Sequence, residues 1–389
     1  MGKRKAAKAP GARRRQCGLE ADAQLPAIDS LRDLPAFADL RIDDAQRAAF
    51  DAFRADWLAA AGAGADGLLQ MGCVIRLDRG FPLVAAEGVT LRAEHAVAFA
   101  KRDPERETLL PAVGDWVVVR VDPVHDKGVI ECVLPRRTAF ERWRGKNRGD
   151  RQTLAANVDV IFIVQPLGAE RDAGSLMRDR IARSLVLVRD CGAEPVVVFT
   201  KADRCDAAGI ERAVADARVL AGREARVIVS SSAAGTGLDE ILSCVPEGAC
   251  GMILGESGAG KSTLLNALLG HEALATGDVR ERDDMGRHTT VARVMCKLPG
   301  PYGVIADAPG LRSLPLVGHD LGLARTFPDI ARAARGCRFN DCSHTHEPGC
   351  AVREAVDEGL IDEIRVEAFL ALAREMRVSA QSLDPDVKL

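Results

Sequence analysis

Gly255-Glu256-Ser257-Gly258-Ala259-Gly260-Lys261-Ser262-Thr263 is the stretch on which the reading of this chain turns. It fits G-x-x-x-x-G-K-[ST], a loop whose glycines let backbone N–H groups close around a phosphate at the positive end of a helix. The flanks have the matching character. Ala249 to Leu254 (ACGMIL) is an apolar run suited to a buried strand, and Ser262 to Leu269 (STLLNALL) reads as a helix stopped by Gly270. In such a loop Lys261 reaches the β- and γ-phosphates and Ser262 ligates Mg²⁺. Gly255 through Thr263 are therefore the first candidates for nucleotide contact.

Around this loop the pattern alternates between strands and helices. Upstream, Val158 to Val164 reads as a buried strand. Ser175 caps a helix with apolar residues at Met177, Ile181, Leu185 and Val188, and Pro195 to Phe199 is the next strand. A helix over Ile210 to Leu220, a strand over Arg226 to Val229 and a short helix from Leu238 follow. Downstream, Val291 to Leu298 and Tyr302 to Ala306 read as strands joined at Pro299-Gly300-Pro301. This predicts a mostly parallel sheet covered by helices on both faces, with ligands bound beyond the carboxyl ends of the strands.

Further motifs fall at those strand ends. Thr200-Lys201-Ala202-Asp203 resembles the [N/T]-K-x-D guanine motif of GTPases. A carboxylate at Asp203 can accept from guanine N1–H and the exocyclic amine, whereas adenine would leave it unpaired. The stem of Lys201 would lie against the ring, and Ser230-Ser231-Ser232 would back the base. Asp307-Ala308-Pro309-Gly310 fits D-x-x-G, with Asp307 expected on Mg²⁺ and the Gly310 N–H on the γ-phosphate. Between these lies Gly286-Arg287-His288-Thr289-Thr290, where Thr289 or Thr290 could complete the Mg²⁺ shell. The residue after Gly310, where many GTPases carry a water-orienting glutamine, is Leu311. His288 is then the nearest catalytic candidate, since neutral imidazole can orient water or accept its proton. A plain surface histidine is the competing reading.

The rest of the chain bounds the context. It has 389 residues, enough for two or three domains, with 53 Lys and Arg against 56 Asp and Glu. Residues 1–30 are basic and Ala/Pro/Gly-rich and are expected to be disordered, with helical spacing from Leu31 to Trp57. Neither a membrane span nor a secretory signal is expected. Five short strands between Met71 and Leu134 suggest a small β-barrel, plausible as an OB-fold. Arg136 to Arg151 is a basic stretch with Phe140 and Trp143 among its cations. It reads equally as a nucleic-acid contact or as a solvated linker. The 11 cysteines suit a reducing compartment. Cys337, Cys342 and Cys350 lie close to His344 and His346, a density that points to a closed structural metal site with either histidine as fourth ligand. Helices are expected at Ala351–Glu358 and Asp362–Met376.

The order of the motifs is unusual, because the guanine motif precedes the phosphate loop by about fifty residues. Such circular permutation, with Gln152, Ala155-Ala156-Asn157-Val158-Asp159, the TKAD, GESGAGKST, GRHTT and DAPG stretches and the C-x₄-C-x-H-x₅-C spacing, resembles the ribosome small-subunit-dependent GTPase A family over roughly residues 67–376. The resemblance implies an N-terminal β-barrel (OB-fold), a central circularly permuted α/β P-loop GTPase domain and a C-terminal α-helical zinc-binding domain. It favours His288 as the catalytic group. It implies one structural Zn²⁺ on Cys337, Cys342, His344 and Cys350, with Mg²⁺ accompanying GTP. The expected boundaries are a basic N-terminal extension at 1–66, the barrel at 67–135, a linker at 136–151, the GTPase domain at 152–316 and the zinc domain at 317–389. The implied activity is GTP hydrolysis, stimulated by the small ribosomal subunit and coupled to its late maturation. A cytoplasmic monomer contacting rRNA is expected. Two alternatives stand beside it: an RNA-binding GTP/GDP sensor with negligible turnover, and a permuted GTPase acting on another RNA or protein. Because permutation leads the chain from Gly310 straight into the C-terminal domain, movement of the γ-phosphate sensor could pass there directly.

Overall fold

Between Leu69 and Val133 the chain forms short, largely apolar strands, two of them buried along almost their whole length, and closes a barrel there. In the computed structural model, residues 31–61, 67–78, 81–96, 110–121, 127–144, 150–168, 175–222, 225–273, 293–307 and 316–383 are described. The N-terminal helix is α1 (Asp44–Ala61), which starts later than the spacing from Leu31 suggests. The barrel strands are β1 (Leu69–Asp78), β2 (Phe81–Ala86), β3 (Val89–His95), β4 (Trp116–Arg120) and β5 (Gly128–Val133). β1 pairs with both β2 and β4, and β3 pairs in parallel with β5, so the five strands close in the order β1-β2-β3-β5-β4. Val74, Val84, Val117, Val119 and Ile130 fill the interior. A Cβ at Gly72 would sit 2.4 Å from Val84 Cγ1, so this position on β1 has no room for a side chain.

Much of the stretch expected as a linker is sheet instead. β6 (Ala139–Arg144) and β7 (Asp150–Ala156) pair as an antiparallel hairpin, which also carries the chain through the expected boundary at residue 152. Three of its cations have internal partners among the described residues. Arg136 donates to both oxygens of fully buried Asp115 at 2.7 Å. Arg137 donates to Asp159 at 2.6 Å, and Arg142 to Gln152 Oε1 at 2.8 Å. Burial raises the Asp115 carboxyl pKa despite the Arg136 guanidinium beside it.

The α/β domain follows as read. Its strands are β8 (Val160–Pro166), β9 (Glu194–Thr200), β10 (Val227–Val229), β11 (Cys250–Leu254), β12 (Arg293–Lys297) and β13 (Val304–Asp307). Their order is β10-β9-β8-β11-β13-β12, parallel except for the antiparallel β12. Helices α2 (Ser175–Cys191), α3 (Ala207–Ala221), α4 (Leu238–Ser243) and α5 (Lys261–Leu269) connect them. Met177, Ile181, Leu185 and Val188 of α2 are all buried, as their spacing requires. β12 also pairs with the far end of β1 (Arg76↔Val294, Leu77↔Arg293), which fuses the barrel and the α/β sheet into one eleven-stranded sheet.

The C-terminal part is helical: α6 (Asp320–Thr326), α7 (Pro328–Ala334), α8 (Ala351–Asp357) and α9 (Glu363–Leu383). The first two were not legible in the sequence. α6 lies against α2 so closely that a Cβ on Gly322 would come within 2.3 Å of Val186 O. Asp190 of α2 accepts from the Gly322 N–H at 2.9 Å and meets His319 Nδ1 at 2.8 Å. Arg365 of α9 ties three elements together. It donates to the Val219 and Leu220 carbonyls that end α3, to Thr326 O, and to both oxygens of Asp329. No helix among the described residues is long and apolar enough to cross a membrane.

Candidate functional site

The phosphate loop joins β11 to α5 as expected. Gly258 and Gly260 have φ of +79° and +90°, a conformation that residues with a Cβ rarely adopt. Gly255 is fixed by proximity, since a Cβ there would lie 2.7 Å from Val164 O on β8. Gly260 ends the loop, and its carbonyl accepts the Leu264 N–H at 2.8 Å, so the first turn of α5 begins at the loop's last glycine. Lys261 is 8% exposed, with its ammonium 2.7 Å from Gly255 O and 2.6 Å from Glu256 O. Ser257, Ala259, Ser262 and Thr263 complete the same loop and helix start.

The guanine-like motif is bound to this loop directly. Thr200 Oγ1 donates to Ala259 O at 2.7 Å, and Lys201 Nζ donates to Gly258 O at 2.8 Å. Residues about sixty apart in sequence thus form one site. Lys201 takes a left-handed φ of 58°, which turns the chain from β9 into the short helical turn Ala202–Arg204. Asp203 stands at the open side of that turn. Ser231 Oγ donates to its Oδ1 at 2.5 Å, and this bond holds the carboxyl below the usual aspartate range. The serine run therefore meets the guanine motif through Ser231, while the Ser230 hydroxyl is spent on Phe199 O at 2.9 Å. Gly237 lets the next turn close, since a Cβ there would meet Val229 O at 2.4 Å.

Asp307 ends β13, is 8% exposed, and pairs in register with Ile253 of β11, two residues before the loop begins. This brings its carboxylate to the end of the sheet that carries Gly255–Ser262. Gly310, Leu311 and the stretch Gly286-Arg287-His288-Thr289-Thr290 lie outside the described residues.

Sequence reading missed three residues at this end of the sheet. Gln165, Arg180 and Arg204 line a cavity of about 280 Å³ together with Lys201, Glu256 and Gly258. Arg180 reaches the loop from α2, its guanidinium 3.1 Å from Glu256 Oε2. Only a contact map could have found it, because nothing in the sequence near Arg180 marks it. A larger groove of about 440 Å³ at Arg218, Arg226 and Cys244 flanks β10 and contains none of the expected site residues.

The second candidate centre is the Cys/His loop. One donor atom from each of Cys337, Cys342, His344 and Cys350 lies within 4.8 Å of all the others. His344 Nδ1 is 3.5 Å from both Cys337 Sγ and Cys350 Sγ, and those sulfurs are 3.9 Å apart. Four donors converging on one point can hold a metal ion. His346 is exposed and turned away, its Nδ1 meeting Thr345 Oγ1 at 2.8 Å. Glu347 braces the loop by accepting from the N–H groups of Ser343, Thr345 and His346.

Comparison with known proteins agrees with this geometry. The family model described as RsgA GTPase matches residues 133–317. A Streptomyces avermitilis protein named small ribosomal subunit biogenesis GTPase RsgA is 43% identical over 323 residues, covering 82% of this chain and 83% of its own. One of the same name from Opitutus terrae is 45% identical over 286 residues, covering 71% and 75%. Among solved structures, YjeQ from Thermotoga maritima aligns with a TM-score of 0.58 at 24% identity, over 79% of this chain and 99% of that one. YloQ, described as a circularly permuted GTPase, aligns at 0.56 and 22% identity, over 84% and 99%. These two show the fold: barrel, permuted α/β domain and helical C-terminal part. With the sequence identity spread over most of its length, the chain belongs to the RsgA GTPase family.

Proposed function

We propose that this protein hydrolyses GTP as a switch on the small ribosomal subunit and couples turnover to a late step of that subunit's maturation. The observation that carries the reading is the direct bonding of Thr200 and Lys201 to the carbonyls of Ala259 and Gly258. It makes base recognition and phosphate binding a single rigid unit. In the bound state the loop N–H groups from Gly255 to Ser262 surround the phosphates. Lys261 leaves the loop carbonyls for the β- and γ-phosphates. Asp203, already oriented by Ser231, accepts from the guanine edge. Ser262 and Asp307, with Thr289 or Thr290, would hold Mg²⁺, which when bound would supply positive charge beside the phosphate oxygens. The Gly310 N–H senses the γ-phosphate. His288 orients the attacking water, because Leu311 has no polar group to do so.

The metal of the Cys/His loop is read as structural zinc. Zn–S bonds of about 2.3 Å and a Zn–N bond of about 2.0–2.1 Å in a tetrahedron imply S–S and S–N edges of roughly 3.8 and 3.5 Å. The observed 3.9 and 3.5 Å among Cys337, His344 and Cys350 fit that figure, and the Cys342 sulfur lies within 4.8 Å of each of them. Four protein donors would leave no open position for chemistry, so a bound ion would serve to shape a loop too short to bury a core of its own. The named relatives' role on the small subunit supports rRNA as the partner and the cytoplasm as the place of action.

GTP hydrolysis by the purified protein, alone, with small subunits and with large subunits, tests the reading. Stimulation by small subunits alone is expected. Tight guanine-nucleotide binding without stimulation by either would replace it with the sensor reading, or with a different activating partner.

A further inference from the structure

A carboxylate inside a phosphate-binding loop is an electrostatic problem, and Glu256 supplies one at the second position of Gly255–Ser262. Its carbonyl accepts from the Lys261 ammonium at 2.6 Å, so its backbone lies beside the group that reaches the phosphates. A negative charge at this place opposes the arrival of a triphosphate. The side chain extends toward α2, where its Oε2 lies 3.1 Å from Arg180 Nη2. Glu256 is the one acid among the described residues lining the cavity of about 280 Å³ there, against Arg180, Lys201 and Arg204. Lys201 Nζ is engaged by Gly258 O at 2.8 Å, and Arg204 Nε lies 3.9 Å from Asp203 Oδ2. Of the three cations, Arg180 is the one in an ion pair with Glu256.

Arg183 stands three residues further along α2 and shares a face with Arg180. Burial lowers its pKa, and the charge of Glu256 works against that shift, so the carboxylate is within electrostatic reach of both guanidinium groups. Arg183 is itself bonded to Glu375 of α9. That bond commits Arg183 to the C-terminal helix and leaves Glu256 to Arg180. We infer that Arg180 is a positioning residue for nucleotide binding: it holds the Glu256 side chain on the α2 side of the loop and offsets its charge, so that the loop N–H groups and Lys261 present a positive face to the phosphates. The inference rests on the reading that Gly255–Ser262 binds the phosphates of GTP. GTP carries one more negative charge than GDP, so Arg180 acts chiefly on GTP and raises the preference of the site for it. The two side chains are 24% and 55% exposed, so water and salt limit the effect to a few-fold in affinity.

The test measures the affinity of the full chain for GDP and for a non-hydrolysable GTP analogue, at low and at high ionic strength. Arg180→Ala is expected to weaken the analogue about fivefold and GDP about twofold at low salt. Both losses are expected to shrink at high salt. Glu256→Gln removes the charge that Arg180 offsets. Arg180→Ala placed in that background is therefore expected to change neither affinity by more than about twofold. Arg178→Ala is the control, since it deletes the same charge from the same helix, but Arg178 pairs with Asp216 of α3 at 3.9 Å. Its affinities are expected to match wild type, and thermal unfolding checks that each variant folds. A loss that persists in the Glu256→Gln background would mean that Arg180 meets the nucleotide directly or only braces the fold, and would overturn the inference. Equal losses for GDP and the analogue, or an equal loss in Arg178→Ala, would do the same. If the wild type binds neither nucleotide, the phosphate-loop reading fails and the inference with it. Wild-type binding with unchanged affinities in Arg180→Ala refutes the inference alone.

Discussion

Replacing Thr200 by valine tests whether the guanine motif and the phosphate loop work as one site. Thr200 is 3% exposed, and its hydroxyl has a single proton to donate. That proton goes to Ala259 O at 2.7 Å, with Gln165 O more distant at 3.5 Å. Valine keeps the branched shape and removes only the donor. The Ala259 carbonyl, in a residue 2% exposed, then loses this partner where water has little access. An unmet buried acceptor costs about 1–3 kcal/mol. If that cost falls on the nucleotide-bound loop, GDP affinity drops about 5- to 150-fold. Thr200→Ser keeps the hydroxyl and should return affinity to within about threefold of wild type. Titration with a fluorescent GDP analogue, alongside thermal unfolding, gives both numbers. Affinity within about twofold of wild type in Thr200→Val, with an unchanged melting temperature, would refute the claim that this bond couples the two motifs.

Other consequences are equally concrete. In Asp203→Asn, Ser231 still needs an acceptor for its hydroxyl proton, because its oxygen already takes the Ala234 N–H at 3.2 Å. The asparagine oxygen therefore stays with Ser231 and the amide NH₂ faces the guanine donors. GDP should weaken by about a hundredfold or more, and a xanthine nucleotide, with an acceptor in place of the amine, should compete better; preserved GDP preference would contradict the assignment. Treatment with a strong chelator, or Cys342→Ser, should release one zinc per chain and lower the melting temperature, as read by a chromophoric metal indicator and calorimetry; a metal-free protein of unchanged stability would rule out a structural ion. Asp329 is half buried, which pushes its carboxyl pKa up, but the two bonds and the charge of Arg365 outweigh this and hold it below the ordinary range. A depressed folded-state value stabilises the protein above the ordinary aspartate pKa, and that contribution is lost as pH falls through the folded value. Arg365→Gln should therefore flatten the acid limb of the stability–pH curve below about pH 4; a limb as steep as wild type would place the acid sensitivity elsewhere.

The parts of this protein that were legible in its sequence are those where backbone geometry dictates residue type. The phosphate loop needs glycine at Gly258 and Gly260, and the apolar run at β11 needs burial on both faces. The Cys/His loop needs its donors close together. What was not legible depends on contacts between distant residues or on elements too short to show a period. α6 and α7 have seven residues each. Gly322 and Pro328 look like helix breakers, yet Gly322 is there because α2 approaches so closely, and Pro328 stands in the first turn, where its missing N–H costs nothing. The β6–β7 hairpin was hidden by the charges around it: Arg136 and Arg137, just before β6, pair with Asp115 and Asp159, and Arg142 pairs across the hairpin with Gln152. Arg180 lay outside every motif for the same reason.

One stretch noticed only for its family likeness turns out to organise the fold. Asn157 has a φ of 56°, and its side chain bonds three separate elements. It donates to Gly114 O at the barrel, and its oxygen accepts from Gln46 of α1 and from the Arg137 N–H before the hairpin. Two residues on, Asp159 accepts from the Cys250 N–H at the first residue of β11, and from Arg41 and Arg137. β11 leads straight into the phosphate loop. With β1 and β12 paired on the other side, the barrel is joined to the α/β domain by backbone ladder and by a buried polar hub. Such a joint resists relative movement, because displacing it leaves several buried polar groups without partners. The C-terminal helices are held differently, by fully buried apolar residues such as Phe327, Ile330 and Val366 and by Asp190 of α2 and Arg365 of α9 closing on helix ends. In the switch proposed above Gly310 would meet the γ-phosphate, and the C-terminal helices begin only ten residues later, at Asp320.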